Sequence, residues 1–344
     1  MSQYTSGQHG DVVVITGASS GIGRATARAF AERGARLVLA SRSRPSLEEV
    51  ATECRGQGAQ EVLVMPTDVS DEDQVRALVQ AAVETFGRID VWVGAASVYS
   101  YGTVEQTPSD VFRQVLETNL LGQVYTARTL LPRFRIQGSG TLIVIGSVYS
   151  KITSPYVSPY ITSKFGLLGF TEALRQELRE VEGVNVCAVL PATIDTPIYQ
   201  HAANYTGQQV HPLPPVVSPH RVARAIVGLA DRPRPTVVVG QIQRSFIPVH
   251  ALLPRLYDRC IGPVMNTLAL RKGPVAPTPG TVFEPDPAAN QITGGWRSRP
   301  WRMAAVAAMT AAAGAVVTRA RATAAGMPGK PRPQQRPRFS RRAR

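Results

Sequence analysis

The chain has 344 residues, 44% of them hydrophobic and 18% charged, a globular composition with room for one large α/β domain and a tail, or for two domains. Its net charge of +14 is unevenly spread: residues 1–270 carry 24 Lys and Arg against 22 Asp and Glu, whereas residues 271–344 carry 14 against 2, so the basic character belongs to the tail. Cys54, Cys187 and Cys260 are odd in number and scattered, which excludes a disulfide framework or a CxxC metal site and reads as the reduced thiols of a cytoplasmic protein.

Residues 1–11 are polar. The apolar run that follows, Val12-Val13-Val14-Ile15, is too short for a signal-peptide core, which argues against secretion. Val12–Thr16 reads as a first strand. It feeds Thr16-Gly17-Ala18-Ser19-Ser20-Gly21-Ile22-Gly23, which opens a helix over about 21–33. A glycine turn between a first strand and a helix is the setting of a dinucleotide site. Gly17 permits the tight turn, and Gly21 and Gly23 let a pyrophosphate reach the backbone at a helix N-terminus. Gly17, Ser19, Ser20, Gly21, Ile22 and Gly23 are therefore assigned to a cofactor.

The second strand, Arg36–Ala40, ends at Ser41-Arg42. An NAD site usually places a carboxylate here for the ribose 2′-hydroxyl. Ser41 stands in its place with Arg42 beside it, and a guanidinium can fork onto a phosphate that a carboxylate would repel. This reads as NADP(H). A helix near 46–55 and the third strand, Glu61–Met65, lead to Asp68 and Val69. Asp68 suits the adenine end of a cofactor, or equally a cap for the helix over 71–86.

The fourth strand, Asp90–Val93, runs into the small residues Gly94-Ala95-Ala96-Ser97, and Ala95 leaves space for a cofactor. A helix over 108–136 contains Asn119. The strand Thr141–Ile145 ends just before Ser147, and thirteen residues further on Tyr160-Ile-Thr-Ser-Lys164 starts the helix 160–181. Residues four apart share a helix face. A lysine charge ~4 Å from the phenol, at an effective dielectric of ~20, is worth about 4 kcal/mol. That predicts a phenol pKa lowered by roughly three units from about 10, into the range of an acid–base catalyst.

Val184–Leu190 reads as a sixth strand. Between Pro191 and Pro219 the regular pattern fails, as in a functional lid or binding loop. Its Ile194, Ile198, Tyr199 and Tyr205 favour an apolar or bulky substrate. His201 and His211 lie in this loop and read as solvated residues; the five histidines show no metal spacing. A helix over 219–230 and the strand Thr236–Val239 complete the alternation. Short apolar strands alternating with helices imply a doubly wound parallel sheet, Rossmann-like, with helices on both faces. The expected organisation is a catalytic domain over 1–245, an amphipathic helical extension over 246–275, and a mostly disordered Pro/Ala/Arg-rich tail over 276–344.

With those residues in place, the chain resembles the short-chain dehydrogenase/reductase family over about residues 10–240. The resemblance implies Tyr160 as acid/base, Lys164 as the group that lowers its pKa and holds the nicotinamide ribose, and Ser147 on the substrate oxygen. Asn119 would anchor a proton-relay water, and Thr196 would meet the nicotinamide amide. Two positions depart from the family pattern: Gly94-Ala95-Ala96-Ser97 replaces Asn-Asn-Ala-Gly, and Pro191-Ala192 replaces Pro-Gly. The asparagine hydrogen bonds are lost, although the residues stay small.

The expected activity is an NADP(H)-dependent interconversion of a secondary alcohol and a ketone, in a homo-oligomer. The alternative is a nucleotide-binding scaffold or regulator with little turnover, which the change at 94–97 brings into view. The apolar stripe over 251–270 would pack on its own domain, across a dimer, or on a membrane surface. The tail lacks the interleaved aromatics of a nucleic-acid platform. Its seven Lys and Arg between Lys330 and Arg344 suit peripheral contact with an anionic membrane.

Overall fold

A computed structural model describes residues 10–297 except Pro287 and Ala289. Seven strands form one sheet: β1 (Val12–Thr16), β2 (Arg36–Ser41), β3 (Glu61–Pro66), β4 (Val91–Gly94), β6 (Gly140–Ile145), β7 (Val184–Pro191) and β10 (Thr236–Val239). The order is β10-β7-β6-β4-β1-β2-β3, with every pairing parallel. The direction of winding reverses at β1, and in such sheets ligands bind where the order switches, beyond the carboxyl ends of the strands.

Helices cover both faces, which is why the central strands are continuous apolar runs. On one side, α1 (Gly21–Ala31), α2 (Arg44–Gly56) and α7 (Pro219–Asp231) pack on alternate residues such as Val13, Ile15, Leu37 and Leu39. This layer also buries Cys54 and Cys187. On the other, α3 (Glu72–Phe86), α5 (Gly122–Gln137) and α6 (Ser158–Glu177) pack on Val14, Val38, Trp92 and Leu142. Helix α3 is started by Asp71, whose carboxylate accepts from the Asp73 and Gln74 amides, and is ended by Gly87 at φ 77°.

Two stretches read as uniform in the sequence are not. The helix expected over 108–136 is α4 (Ser109–Leu116) joined to α5 through a π-helical turn, Glu117–Leu121, which carries Asn119. Such turns insert a residue into the helical ladder and are frequent at functional sites. The loop after β7 holds two short strands, β8 (Ala203–Asn204) and β9 (Gln208–Val210). Strand β8 pairs with β5 (Ser100–Tyr101), and β9 pairs with β11 (Leu270–Pro274), so the middle of the loop is tied at two places.

After β10 the chain forms α8 (Gln241–Arg244), α9 (Phe246–Leu252) and α10 (Pro254–Val264), then a π-helical turn, Met265–Ala269, leading into β11. Tyr257 is buried, and its hydroxyl donates to the Thr153 carbonyl at 2.7 Å. Residues 276–297 differ from the disordered tail expected there. They have little regular structure, but they run back over the carboxyl edge of the sheet and lie against it. The remainder of the basic tail, with its run from Lys330 to Arg344, falls outside the described residues. Among the described residues, no helix is long and apolar enough to cross a membrane.

Candidate active site

A cavity of about 720 Å³ opens along the carboxyl edge of the sheet. At one end it is bounded by the glycine turn, Ser41, Arg42, Asp68, Val69 and Ala95, with Thr196 beside Gly21; at the other lie Ser147, Tyr160 and Lys164. All the residues assigned to a cofactor from the sequence thus face one space. Two glycines of the turn tolerate no side chain. A Cβ on Gly17 would stand 2.6 Å from the Ala96 nitrogen, and one on Gly23 would stand 2.0 Å from the Gly17 carbonyl oxygen. Gly17 and Gly21 also adopt positive φ, 67° and 52°, which glycine reaches without strain. The Ser41 Oγ is buried on the cavity wall with no partner among the described residues, a polar group suited to a ribose or phosphate oxygen. A dinucleotide fits this cradle.

Asp68 lines the cavity but does not cap α3, a role that Asp71 takes. The Asp68 carboxylate accepts from the Ser70 amide at 2.9 Å and the Ser70 hydroxyl at 2.7 Å, a turn just ahead of α3. Arg42 also does more than the sequence implies. Its terminal nitrogens donate to the carbonyls of Thr281 (2.7 Å), Phe283 (2.8 Å) and Val282 (3.2 Å). Burial pulls its guanidinium below the usual value, with the Asp68 carboxylate opposing.

Tyr160 and Lys164 lie on the buried face of α6, at 8% and 2% exposure. The phenol ring is held between two others: Tyr99 lies 4.1 Å away between centroids at 36°, and Tyr149 meets it edge-on at 6.3 Å. Ser147 caps a short 3-10 turn, its hydroxyl accepting from the Tyr149 amide at 3.1 Å. The Lys164 ammonium donates to the Ile145 carbonyl at 2.9 Å and sits 5.4 Å from the Tyr160 ring centre.

This corrects the electrostatic argument drawn from the spacing. Burial drives the Tyr160 phenol above its ordinary pKa, and the Ser147 hydroxyl only partly offsets that rise. Burial likewise brings Lys164 down to about 7. Desolvation of both groups outweighs the attraction expected between them. Without a bound partner, the lysine is only part-charged at neutral pH and the phenol keeps its proton.

Asn119 is 1% exposed and its side chain is fully engaged. The amide nitrogen donates to the Val98 carbonyl (3.0 Å) and the Ser163 hydroxyl (3.1 Å); the oxygen accepts from the Val98 amide (2.8 Å) and the Ser97 hydroxyl (3.1 Å). It ties the segment after β4 to α6. The small residues at 94–97 have a second compensation. A Cβ on Gly94 would lie 2.1 Å from Gln123 Oε1, so Gln123, 2% exposed on α5, fills the space that a side chain at position 94 would take. Gly94→Asn is therefore expected to destabilise the fold by about 1–3 kcal/mol through overpacking. The pair Gly94→Asn/Gln123→Ala should recover most of that loss in denaturant unfolding; no recovery would show that Gln123 is not the obstacle.

Several contributors were not recognised from the sequence. Arg24 on α1 is buried and pairs with Glu49 (2.6 Å) and Glu53 (2.7 Å) of α2, two carboxylates at i, i+4 whose spacing was a visible signal. Tyr99 and Tyr101 are buried beside Tyr160, with Tyr149 and Tyr199 half-buried around it, and Phe246, Leu256 and Tyr257 line the same cavity; of these, Tyr199 and the 251–270 stripe were already marked by the sequence. The stripe over 251–270 thus forms part of the wall of this cavity. His201 and His211, read as solvated, are not: His201 Nδ1 pairs with Asp286 at 3.2 Å, and the His211 ring meets Trp296 edge-on at 5.3 Å.

A glycine cradle for a dinucleotide, leading to a buried tyrosine, lysine and serine at one end of the same cavity, defines a nucleotide-binding oxidoreductase on a Rossmann-like sheet. Residues 11–205 match the family model for short chain dehydrogenases. The uncharacterized oxidoreductase YxnA of Bacillus subtilis is 36% identical over 257 residues, covering 74% of this chain and 72% of that protein. The 11-beta-hydroxysteroid dehydrogenase A of Sesamum indicum is 37% identical over 202 residues, covering 58% and 57%. An alcohol dehydrogenase from the archaeon Thermococcus sibiricus, solved with 5-hydroxy-NADP, superposes with a TM-score of 0.60 at 28% identity over 68% of this chain and 97% of that one. The chain belongs to the short-chain dehydrogenase/reductase family.

Proposed function

We propose that this enzyme interconverts a secondary alcohol and a ketone on an apolar, bulky substrate with NADP(H), in the cytoplasm. The observation that carries this reading is the burial of Tyr160, Lys164 and Ser147 together at the aromatic end of a cavity whose other end is the glycine cradle. The cofactor, when bound, supplies or takes up the hydride at the carbinol carbon. Tyr160 donates the proton to the carbonyl oxygen in reduction and removes it from the alcohol in oxidation. Ser147 holds that oxygen by hydrogen bond, where charge develops. Lys164 would face the ribose hydroxyls, and Thr196, which borders the glycine turn, the carboxamide. Asn119 acts as a positioning residue by fixing the wall opposite α6.

A phenol kept protonated by burial is the donor form, so reduction should run through neutral pH, whereas oxidation should climb as pH rises toward the raised phenol pKa. The tyrosine-lined end suits a large, weakly polar substrate, and one relative is a hydroxysteroid dehydrogenase by name. A scaffold without turnover is disfavoured because Asn119 and Gln123 restore order where the departures at 94–97 would weaken it.

NADP(H) is favoured over NAD(H) by Ser41 in place of a carboxylate, by Arg42 on the cavity wall, and by the nucleotide held in the archaeal neighbour. The test is turnover on a panel of apolar ketones with NADPH and NADH, repeated with Ser41→Asp. This substitution leaves Arg42 in place and adds a charge that repels a 2′-phosphate and accepts from a ribose hydroxyl. Weaker NADPH binding with retained or improved NADH binding is expected. An unchanged ratio between the two would refute the preference, and absence of turnover with both would refute the activity.

A further inference from the structure

The described residues of Thr281–Trp296 lie far along the chain from the glycine turn, yet four of them form part of the wall of the same cavity. These are Thr281, Pro285, Asp286 and Asn290. The segment is attached at three places. Near its start, Val282 is fully buried against Val98, Val111 and Val115, while Arg42 grips the carbonyls of Thr281, Val282 and Phe283. In the middle, the Gly21 amide at the head of α1 donates to the Gln291 carbonyl at 3.0 Å, and Arg24 donates to the Asn290 carbonyl. At its end, the Asp195 carboxylate accepts from the amides of Trp296 (2.8 Å) and Gly294 (3.1 Å), and the Trp296 indole donates to the Thr196 carbonyl at 3.3 Å.

The donors used here, a helix N-terminal amide and two guanidinium groups, are the kind that anionic groups attract. The strap meets them with the partial negative charge of carbonyl oxygens. Its last anchors, Asp195 and Thr196, belong to the loop that borders the nicotinamide end. The strap therefore spans the cleft from the adenosine side to the reacting side. A dinucleotide lying in the cavity would be enclosed between the strap and the sheet.

We propose that Thr281–Trp296 is a latch over the dinucleotide cleft, and that it must unfasten for the nucleotide to enter or leave. The proposal rests on the reading of this cleft as the NADP(H) site. The cavity persists beneath the latch, but its carbonyls occupy the Gly21 amide and the Arg42 guanidinium, so an entering nucleotide must share or displace those contacts, and the latch governs both the rates of exchange and the affinity. His201 and His211 of the substrate loop are part of its fastening, through Asp286 and Trp296. Opening the latch thus also frees the loop that covers the substrate.

The test uses the full chain and the variant Asp286→Ala/Trp296→Ala, which removes two anchors from the latch's own surface. Dissociation of NADPH is followed by stopped-flow fluorescence on displacement with excess NADP+. Release is expected to be faster in the variant by about tenfold or more, the loss of roughly 1.4 kcal/mol of fastening, with association faster in the same direction. Hydrogen exchange supplies a second readout on the unaltered chain. The Gly294 and Trp296 amides should be protected, and more so with saturating NADPH. Equal release rates in the two proteins, or exchange at those amides as fast as in a free peptide, would overturn the latch. If the unaltered chain binds neither NADPH nor NADH, the cofactor reading falls and the latch with it. Binding with unchanged rates removes the latch alone.

Discussion

Tyr160→Phe is expected to lower turnover by about 10²–10⁴-fold, the usual worth of general acid–base assistance, while nucleotide affinity stays within a few-fold of the unaltered chain. The ring is held by Tyr99 at 4.1 Å and Tyr149 at 6.3 Å, and phenylalanine keeps both contacts. What disappears is the transferable proton. Because α6 and its buried face are unchanged, thermal unfolding should move little, which separates a chemical loss from a folding defect. The measurements are single-turnover reduction of a ketone that the unaltered enzyme accepts, and a fluorescence titration with NADPH. Turnover within a factor of ten of the parent would remove Tyr160 from the chemistry.

Lys164→Met is expected to act in two opposite directions. Turnover and nucleotide affinity should both fall, turnover by about 10²-fold or more, because the group proposed to meet the ribose and support the phenol is gone. Stability should respond differently. In the folded protein burial brings the lysine to about 7, against an ordinary value of 10.5. Between those two values the unfolded chain binds the proton that the folded chain has released. Stability therefore falls as pH drops across that interval and levels off below about 7, where both states hold the proton and folding must bury a charge. Methionine cannot titrate, so that slope should be missing in the variant. The bond to the Ile145 carbonyl is lost at every pH and offsets the curve without tilting it. Denaturant unfolding at several pH values between 7 and 10, without nucleotide, gives the slope directly. Identical slopes in parent and variant would mean that the lysine stays charged when folded.

The seven sheet strands were legible because a parallel strand covered on both faces must be apolar along its whole length, and runs such as Val12–Thr16 and Thr141–Ile145 have no other plausible use. The glycine turn and the Tyr160–Lys164 pair were legible for a similar reason, since each is a local pattern whose spacing alone sets its geometry. Other features depend on distant partners. Arg42 reaches carbonyls some 240 residues away in sequence, and a Pro-rich stretch gives no local sign of such a docking. His201 and His211 find their partners, Asp286 and Trp296, in the same segment. Gln123 fills the space over Gly94 only because α5 crosses β4 there. The pKa of Tyr160 was misjudged because spacing reveals a neighbouring charge but not the depth at which both groups are buried.

The three cysteines occupy very different depths. Cys54 on α2 and Cys187 on β7 lie in one apolar layer at 0% and 1% exposure, and burial pushes the Cys54 thiol up to about 12. Cys260 on α10 lines the cavity and is partly exposed. Alkylation requires both access and the thiolate, so the chain carries two thiol clocks of different kinds. Cys260 reports events at the substrate end, at a rate that an occupying ligand would slow. Cys54 and Cys187 react only when the layer between α2 and β7 comes apart, so they time cooperative opening of the whole domain. Mass-resolved labelling of a single sample can thus separate local breathing at the mouth from unfolding of the sheet, without an added probe.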